Sequence, residues 1–196
     1  MQEQRWAACS LQTRVKCQMQ SVQESLKNLI DNGGICIMKV LTAYFSYTNH
    51  TKGIAEQVQN RIGGDLFEIR PAESYSSDYD TTERQGRKET HDGYRPQLAE
   101  QTENFASYDV ILIGTPNWFN TIAPPVATFL AEHDFSGKKL AVFCTNGGGG
   151  LGHIEADVKA LTQNAEVMSS LNLYEDGGSD AGTEIETWLK KNGLNE

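Results

Sequence analysis

From Met38 onward, short runs typical of β-strands alternate with segments typical of α-helices. The predicted strands are Lys39–Phe45, Asp65–Arg70, Val110–Gly114, Lys139–Cys144 and Glu166–Leu173. The predicted helices are Thr51–Ile62, Ser77–His91, Pro125–Glu132, His153–Thr162 and Asp180–Lys191. Because strands that alternate with helices form parallel sheets with right-handed crossovers, this pattern predicts an α/β fold with helices on both faces of the sheet.

Five such strands fit a doubly wound parallel sheet of order 2-1-3-4-5. In sheets of this kind a ligand binds outside the carboxyl ends of the strands, where the strand order reverses between strands one and three. We therefore expect the loops that follow strands one, three and four to form the functional site.

Residues 1–37 differ from the rest, since they hold three of the four cysteines and six glutamines. Within them only Ser21–Gly33 is periodic, with a capping box and a C-terminal glycine, and it is compatible with one amphipathic helix. Gly33-Gly34 must be encoded GGN-GGN, which fits a bacterial ribosome-binding purine run just before Met38. We interpret residues 1–37 as an extension from an overcalled start, the alternative being a disordered or single-helix segment, and residues 38–196 as the functional domain.

Composition excludes several classes of partner. The net charge of −9 over 196 residues would repel nucleic-acid phosphates and anionic lipid headgroups. Apolar runs such as Asp109–Gly114 are far shorter than the roughly 18–20 residues that cross a bilayer. The cysteines have no regular spacing and no signal segment precedes them, which predicts a reduced, cytoplasmic protein without disulfides. No metal-ligand spacing is present, so we expect no metal site.

The loop after strand one is rich in hydroxyl groups and leads into a helix. It consists of Ser46, Tyr47, Thr48, Asn49, His50 and Thr51. Hydroxyls and free backbone N–H groups at a helix N-terminus bind phosphate, and the lack of Lys or Arg in the loop favours a monophosphate. The alternative is a simple helix cap at Thr48 or Thr51.

The loop after strand three carries two adjacent large aromatic residues. It consists of Thr115, Pro116, Asn117, Trp118, Phe119, Asn120 and Thr121. Trp118 and Phe119 offer flat apolar area on which a planar ring system can stack. Alternatively, they cover the end of the sheet or a dimer contact.

The loop after strand four is rich in glycine. It consists of Thr145, Asn146, Gly147, Gly148, Gly149, Gly150, Leu151 and Gly152. Missing Cβ atoms let backbone amides approach a ligand closely, although so many glycines could also make a mobile loop. The loop matches G-x-G-x-x-G, but a dinucleotide fingerprint belongs to the first β-α-β unit and too few residues follow for a second nucleotide-binding half.

Two other kinds of site fit the sequence less well. Cys144 with His153 nine residues later is a weak candidate for a nucleophile, and a buried small hydrophobe is the favoured role of Cys144. A phospho-receiver domain would need acidic residues after strand one, where Tyr44–Tyr47 stand, and an Asp at the end of strand three, where Gly114 and Thr115 stand.

Taken together, Ser-x-Thr-x-x-Thr after strand one, Thr-Pro-x-Trp-Phe after strand three and the glycine-rich loop after strand four resemble the flavodoxin family, in particular its short bacterial members. The resemblance implies bound FMN, with the phosphate at Ser46–Thr51 and the isoalloxazine between the second and third loops, so all the residues of these loops are candidate cofactor-binding residues. Asn49 and Asn120 stand where relatives often have glycine, and Asn tolerates a left-handed backbone next best.

The resemblance further implies an electron carrier that exchanges electrons with redox partner proteins and needs no catalytic side chain. One alternative is an FMN-dependent NAD(P)H:quinone-type oxidoreductase. Another is a flavin-free flavodoxin-fold module that only binds or regulates. Whether the protein is an enzyme stays open at this point, because carrier and reductase differ in whether a nicotinamide can stack on the exposed flavin face.

Overall fold

The computed structural model describes residues 38–195, so the interpretations of residues 1–37 lie outside it. The strands are β1 (Val40–Tyr44), β2 (Asp65–Glu68), β3 (Val110–Trp118), β4 (Thr121–Ile122), β5 (Lys139–Asn146), β6 (Glu166–Val167) and β7 (Leu171–Tyr174). The helices are α1 (His50–Ile62), α2 (Tyr79–Asp92), α3 (Pro124–Glu132), α4 (Ile154–Leu161) and α5 (Ala181–Lys191). Within residues 38–195, none of these helices has the length and apolar character needed to cross a bilayer.

The predicted doubly wound sheet is confirmed, with strand order β2-β1-β3-β5 followed by β6 and β7. β1 pairs in parallel with β2 and β3, and β3 pairs in parallel with β5. The register aligns Tyr44 with Gly114 and Gly114 with Phe143. The carboxyl ends of the three central strands therefore lie at the same edge of the sheet.

The predicted fifth strand is split into β6 and β7, each of which pairs in parallel with β5. The interruption falls at Ser169, whose carbonyl accepts hydrogen bonds from Trp188 Nε1 at 2.7 Å and Asn192 Nδ2 at 3.1 Å. The Ser169 N–H donates to the Asn192 side chain at 3.0 Å. The backbone N–H and carbonyl of Ser169 thus bond to side chains at the end of α5 instead of to a neighbouring strand.

Both faces of the sheet are buried, as the continuously apolar strands predict. One face of β1, β3 and β5 packs on α3 and α4 through residues that include Leu41, Ile113, Val142, Phe129 and Val158. The other face packs on α1 and α5 through residues that include Tyr44, Leu112, Phe143, Ile54 and Trp188. Helices on both sides hold the central strands, and with them the loops at their ends, in fixed positions.

The prediction of an irregular loop after strand three is wrong, because part of this segment forms paired strands. β3 continues to Trp118, turns at Phe119 and Asn120, and pairs in antiparallel fashion with β4, Trp118 opposite Thr121. Phe119 and Asn120 have φ angles of 54° and 69°, which is the backbone of a tight two-residue hairpin with both central residues left-handed. The predicted loop is therefore a rigid hairpin that projects from the sheet edge.

Helix α2 begins and ends as its sequence predicts, within two residues. Asp78 caps it by accepting a hydrogen bond from the Thr81 N–H at 2.9 Å, and Gly93 ends it with a φ of 64°. Among the residues of α2, only Thr82 and Gly86 are buried. This helix is thus attached to the domain by a narrow contact, which lies near the hairpin of β3 and β4.

We predict that Gly114→Ala destabilises the domain by about 1–3 kcal/mol, the usual cost of overfilling a packed core. A Cβ at this position would lie 2.3 Å from Phe143 Cζ and 2.8 Å from Tyr44 Cβ, in the middle of the sheet. Urea unfolding followed by circular dichroism measures the change in the free energy of unfolding.

Gly53→Ala is the matched control. Gly53 lies inside α1 with no atom within 4 Å of a Cβ added there. Because alanine favours a helix over glycine by up to about 1 kcal/mol, this variant should be as stable as the wild type or more so. Equal stability of both variants would contradict the close packing of the central strands.

Candidate functional site

The loop between β1 and α1 has the geometry of an anion site. Asn49 precedes the helix with a φ of 67° and makes no side-chain capping bond, so the alternative that Thr48 or Thr51 serves as the cap is wrong. The left-handed backbone predicted for Asn49 in place of glycine is confirmed. The first N–H groups of α1 therefore keep no intrahelical partner and face the loop.

Three hydroxyls of this loop are placed differently. The Thr48 side chain is exposed. The Ser46 Oγ is buried and has no hydrogen-bond partner among the described residues. Thr51 is buried, and its Oγ1 lies 2.8 Å from the Oγ1 of Thr145. In that pair one hydroxyl donates to the other, so the accepting hydroxyl keeps its own hydrogen for a further acceptor.

The hydrogen bond between Thr51 and Thr145 connects the first loop to the third. His50, the first residue of α1, is half-buried beside it. Ser46 and Thr51 therefore lie at the point where the strand order reverses, as the sequence predicts for a ligand site.

The hairpin of β3 and β4 brings Trp118 into a group of aromatic rings. Its ring meets Phe45, Tyr75 and Tyr47 edge to face, with centroids 5.6, 4.9 and 6.2 Å away. Trp118 is only partly buried, which agrees with the alternative that it covers the end of the sheet, while its role in ring stacking stays a prediction. The residue covers the end of the sheet and still presents ring surface to its surroundings.

A cavity of about 170 Å³ lies beside these rings. From the predicted site it is lined by Tyr47, Asn117, Trp118 and Phe119. From helix α2 it is lined by Tyr79, Thr82 and Glu83. The sequence prediction missed these α2 residues, and the only signal for them is their spacing of three and four, which places them on one face of a helix.

Other residues of the second loop serve the hairpin itself. Thr115 is buried, and its hydroxyl accepts a hydrogen bond from the Ala123 N–H at 3.1 Å and donates to the Pro116 carbonyl at 2.9 Å. Pro116 aligns with Thr145 in the pairing of β3 and β5. The Thr121 hydroxyl donates to Asp157 of α4. The structure thus assigns Thr115, Pro116 and Thr121 to holding the hairpin in place.

The glycine-rich loop is held by side-chain amides, which argues against the alternative of a mobile loop. Asn146 is buried, and its Oδ1 accepts from the Gly148 and Gly150 N–H groups at 2.9 and 3.0 Å. Its Nδ2 donates to the Leu173 carbonyl at 2.8 Å. Asn117 Nδ2 donates to the Gly150 carbonyl at 2.6 Å.

The glycines of this loop have unequal surroundings. A Cβ on Gly152 would lie 2.4 Å from the Asn120 carbonyl oxygen. The missing side chain at this glycine therefore makes room for the hairpin rather than for a ligand. A Cβ on Gly149 would approach Asn117 Nδ2 to 3.3 Å. Leu151 packs against the core. A Cβ on Gly147, Gly148 or Gly150 would meet no atom within 4 Å, which leaves these positions open to a ligand.

Helix α2 adds charge near the cavity. The Arg87 guanidinium lies over the Phe119 ring, 4.7 Å from its centroid, and forms an ion pair with Glu83. Tyr75 donates its hydroxyl hydrogen to Glu89 at 2.6 Å, and burial, followed by that hydrogen bond, raises the pKa of Tyr75. At neutral pH Tyr75 therefore stays an uncharged donor.

Cys144 has the properties of a buried hydrophobe, as the sequence analysis favours. Its side chain is buried on β5, and desolvation by burial raises the pKa of the thiol to about 12. His153 is exposed. The nucleophilic form of cysteine is the thiolate, so Cys144 is a poor nucleophile at neutral pH. Within residues 38–195, no group of His, Cys, Asp and Glu is arranged to hold a metal ion.

A profile of the family described as Flavodoxin matches residues 39–192 of this chain. The chain belongs to the flavodoxin family. A candidate flavoprotein from Bacteroides eggerthii is 31% identical with a TM-score of 0.68, the match covering 78% of this chain and 96% of that one. A candidate flavoprotein from Bacteroides uniformis is 29% identical with a TM-score of 0.70, covering 78% and 98%.

A more distant flavoprotein, from Lactobacillus acidophilus, was solved in complex with FMN. It is 23% identical with a TM-score of 0.60, covering 77% of this chain and 98% of that one. No curated protein matches the sequence significantly. These relatives agree with the flavodoxin-like sheet.

We predict that Cys144 in the native protein resists alkylation by iodoacetamide at pH 8 and reacts fully once the protein is unfolded in guanidinium. Below its raised pKa of about 12 the thiol stays protonated, and burial blocks access to it. Mass spectrometry of the digested protein distinguishes Cys144 from the other cysteines. Alkylation of native Cys144 as fast as that of free cysteine would contradict its assignment to the core.

Proposed function

We propose that this flavodoxin-family protein binds FMN non-covalently and transfers electrons between redox partner proteins. The observation that carries the proposal is the set of donors at the N-terminus of α1: the Thr51–Thr145 hydroxyl pair and the buried Ser46 hydroxyl, which has no hydrogen-bond partner within residues 38–195. A buried polar atom without a partner is costly, and a phosphate oxygen would supply that partner.

The donors at this loop suit one phosphate. Ser46, Thr48 and Thr51 offer hydroxyls, and the free N–H groups of α1 add the positive end of the helix dipole. The loop Ser46–Thr51 contains no Lys or Arg, which a di- or triphosphate site normally uses. The residues present therefore fit the phosphate of a mononucleotide.

The aromatic cavity suits the other end of FMN. Tyr47, Trp118 and Phe119 line it with flat apolar surface, and Asn117 adds an amide. Tyr47, which belongs to the first loop, also lines the cavity, so the proposed phosphate and ring sites are neighbours in the chain. The FMN complex of the Lactobacillus acidophilus flavoprotein supports the same cofactor for this fold.

FMN, when bound, supplies the redox chemistry by accepting and releasing electrons. The residues of the chain bind and orient it: the first loop holds the phosphate, and Trp118 and Phe119 keep water from one side of the ring. Cys144 takes no part because its thiol is buried and protonated. A carrier of this kind needs no side chain that acts as acid or base.

The acidic charge of the chain supports exchange with proteins. A net charge of −9 attracts basic partner surfaces over a distance and speeds their docking. The same charge disfavours free nicotinamide nucleotides, which carry phosphates. We therefore favour the function of an electron carrier over that of an NAD(P)H-dependent reductase, which is the competing enzymatic function.

We predict that the purified protein binds FMN and that Thr48→Ala and Thr51→Ala each weaken this binding roughly ten- to hundredfold while riboflavin binding changes little. Each hydroxyl serves the phosphate, and one charge-assisted hydrogen bond contributes about 1.5–3 kcal/mol. Titrations of flavin fluorescence measure both dissociation constants. Thr51→Ala should also lower the stability of the fold, since that variant leaves the Thr145 hydroxyl without its partner.

Thr187→Ala is the control, because Thr187 is an exposed residue of α5 and outside the site. Equal losses for FMN and riboflavin in the Thr48 variant would mean that the loop only starts the helix. A wild-type protein that takes up neither flavin would overturn the proposed function and favour a flavin-free binding module.

We predict that the FMN-loaded protein is reduced rapidly by a reduced ferredoxin-type reductase and only slowly by NADH or NADPH alone under anaerobic conditions. The rate with the protein partner should fall as salt is added, because salt screens the attraction between unlike surfaces. Stopped-flow absorbance at the flavin band follows both reactions. Fast turnover with a nicotinamide and a quinone alone would assign the reductase function instead.

A further inference from the structure

No residue of the glycine-rich third loop lines the cavity beside Trp118. Residues 145–152 contain no Phe, Tyr or Trp. A planar ring system binds most strongly where flat side chains cover it. Of the second and third loops, only the second supplies such side chains, Trp118 and Phe119. The chain must cover the rest of the ring from another element, or leave it in water.

Helix α2 faces this cavity with one side. Thr82, Glu83 and Gly86 lie three, four and seven residues after Tyr79, which places all four on one face of the helix. All but Gly86 line the same cavity as Trp118 and Phe119. Gly86 lies in the contact between helix and hairpin.

The contact at Gly86 sets how far α2 stands from the hairpin. A Cβ on Gly86 would lie 2.9 Å from Trp118 Cε3 and Cζ3 and 3.4 Å from Phe119 Cε2. One residue later, Arg87 lies over the Phe119 ring. The helix thus touches the hairpin near its middle, whereas its first turns, from Tyr79 to Glu83, border the open cavity.

The start of α2 is fixed to the first loop. The Ser76 carbonyl accepts a hydrogen bond from the Tyr47 hydroxyl at 2.8 Å and another from the Thr82 hydroxyl at 2.9 Å. Asp78 caps the helix at the residue before Tyr79. The backbone that carries Tyr79 is therefore positioned, even though 67% of the Tyr79 surface is exposed.

From these contacts we propose that α2 forms the outer wall of the flavin-ring site and that Tyr79 is a cofactor-binding residue whose phenol ring covers the isoalloxazine. This inference rests on the proposed binding of FMN. It gives a reason for a large aromatic residue that is exposed at the rim of an aromatic cavity, and for a helix whose buried Gly86 packs against Trp118.

The test compares three flavins that share the ring and differ in their tails: FMN, riboflavin and lumiflavin. Tyr79→Ala should weaken the binding of all three by the same factor, about two- to tenfold, as expected for the loss of one aromatic contact. Tyr79→Phe should bind all three as the wild type does. This pattern differs from that of the phosphate-loop variants, which separate FMN from riboflavin.

Tyr94→Ala is the matched control. Tyr94 is similarly exposed, at 53%, and follows the same helix, but it does not line the ring cavity. Its replacement should leave the three dissociation constants unchanged. If Tyr79→Ala behaves like this control, or affects FMN alone, the proposal for Tyr79 is overturned although FMN binding stands. Failure of the wild-type protein to bind any flavin would overturn both proposals.

Gly86→Leu tests the wall as a whole. The larger side chain would push α2 away from Trp118, so the binding of FMN, riboflavin and lumiflavin should weaken together. Because α2 buries only Thr82 and Gly86, the domain should stay folded, and urea unfolding checks this. A folded Gly86→Leu protein with unchanged affinity for all three flavins would show that α2 is not part of the ring site.

Discussion

The parallel pairing of β3 with β1 on one side and β5 on the other is the constraint on which the candidate site depends. The register places Tyr44, Gly114 and Phe143 side by side, so the three strands run out at a common edge. Gly114 makes this possible, because a side chain there would collide with Phe143. The loop after β1, the hairpin formed by β3 and β4, and the glycine-rich loop at the end of β5 meet as a consequence, although the first and the last are about 100 residues apart in the chain.

Two asparagines turn these neighbouring loops into one rigid unit. Asn146 holds the glycine-rich loop from within by accepting from Gly148 and Gly150. Asn117 holds it from the hairpin side, since its side-chain Nδ2 donates to the Gly150 carbonyl and its side-chain Oδ1 accepts from the Asn120 N–H at 2.8 Å. Glycine-rich segments lose much entropy on ordering, and buried backbone groups require partners. The amides meet both requirements with uncharged groups.

The sequence predicts the central sheet and the three loops because their signals are local. A strand that is apolar on both faces needs helices on both sides, and the alternation of elements leaves few other folds. The extent of β3 and the break between β6 and β7 were not predictable in the same way. The first depends on a hairpin of two left-handed residues, Phe119 and Asn120. The second depends on hydrogen bonds to Ser169 from Trp188 and Asn192, which follow it by 19 and 23 residues.

The packing position of α2 also could not be predicted from a local sequence signal. The buried face of an amphipathic helix is normally predicted from an apolar stripe in the sequence. Helix α2 instead buries a threonine and a glycine and is polar elsewhere. Its partner surface is known only once Trp118 is in place, and Gly86 is then explained as the residue that admits the indole ring. A sequence signal for this contact would be a small residue such as Gly86 inside a polar helix, two turns from an aromatic residue such as Tyr79 on the same face.

The absence of Lys and Arg from Ser46–Thr51 links the two ends of the proposed site. In a chain of net charge −9, long-range electrostatics oppose the approach of an anion, so a phosphate can be held only by short-range hydrogen bonds from hydroxyls and the N-terminus of α1. Such bonds give specificity for the phosphate but limited affinity. The remaining binding free energy then has to come from burial of the flat ring, which is the role proposed above for the aromatic hairpin and for α2.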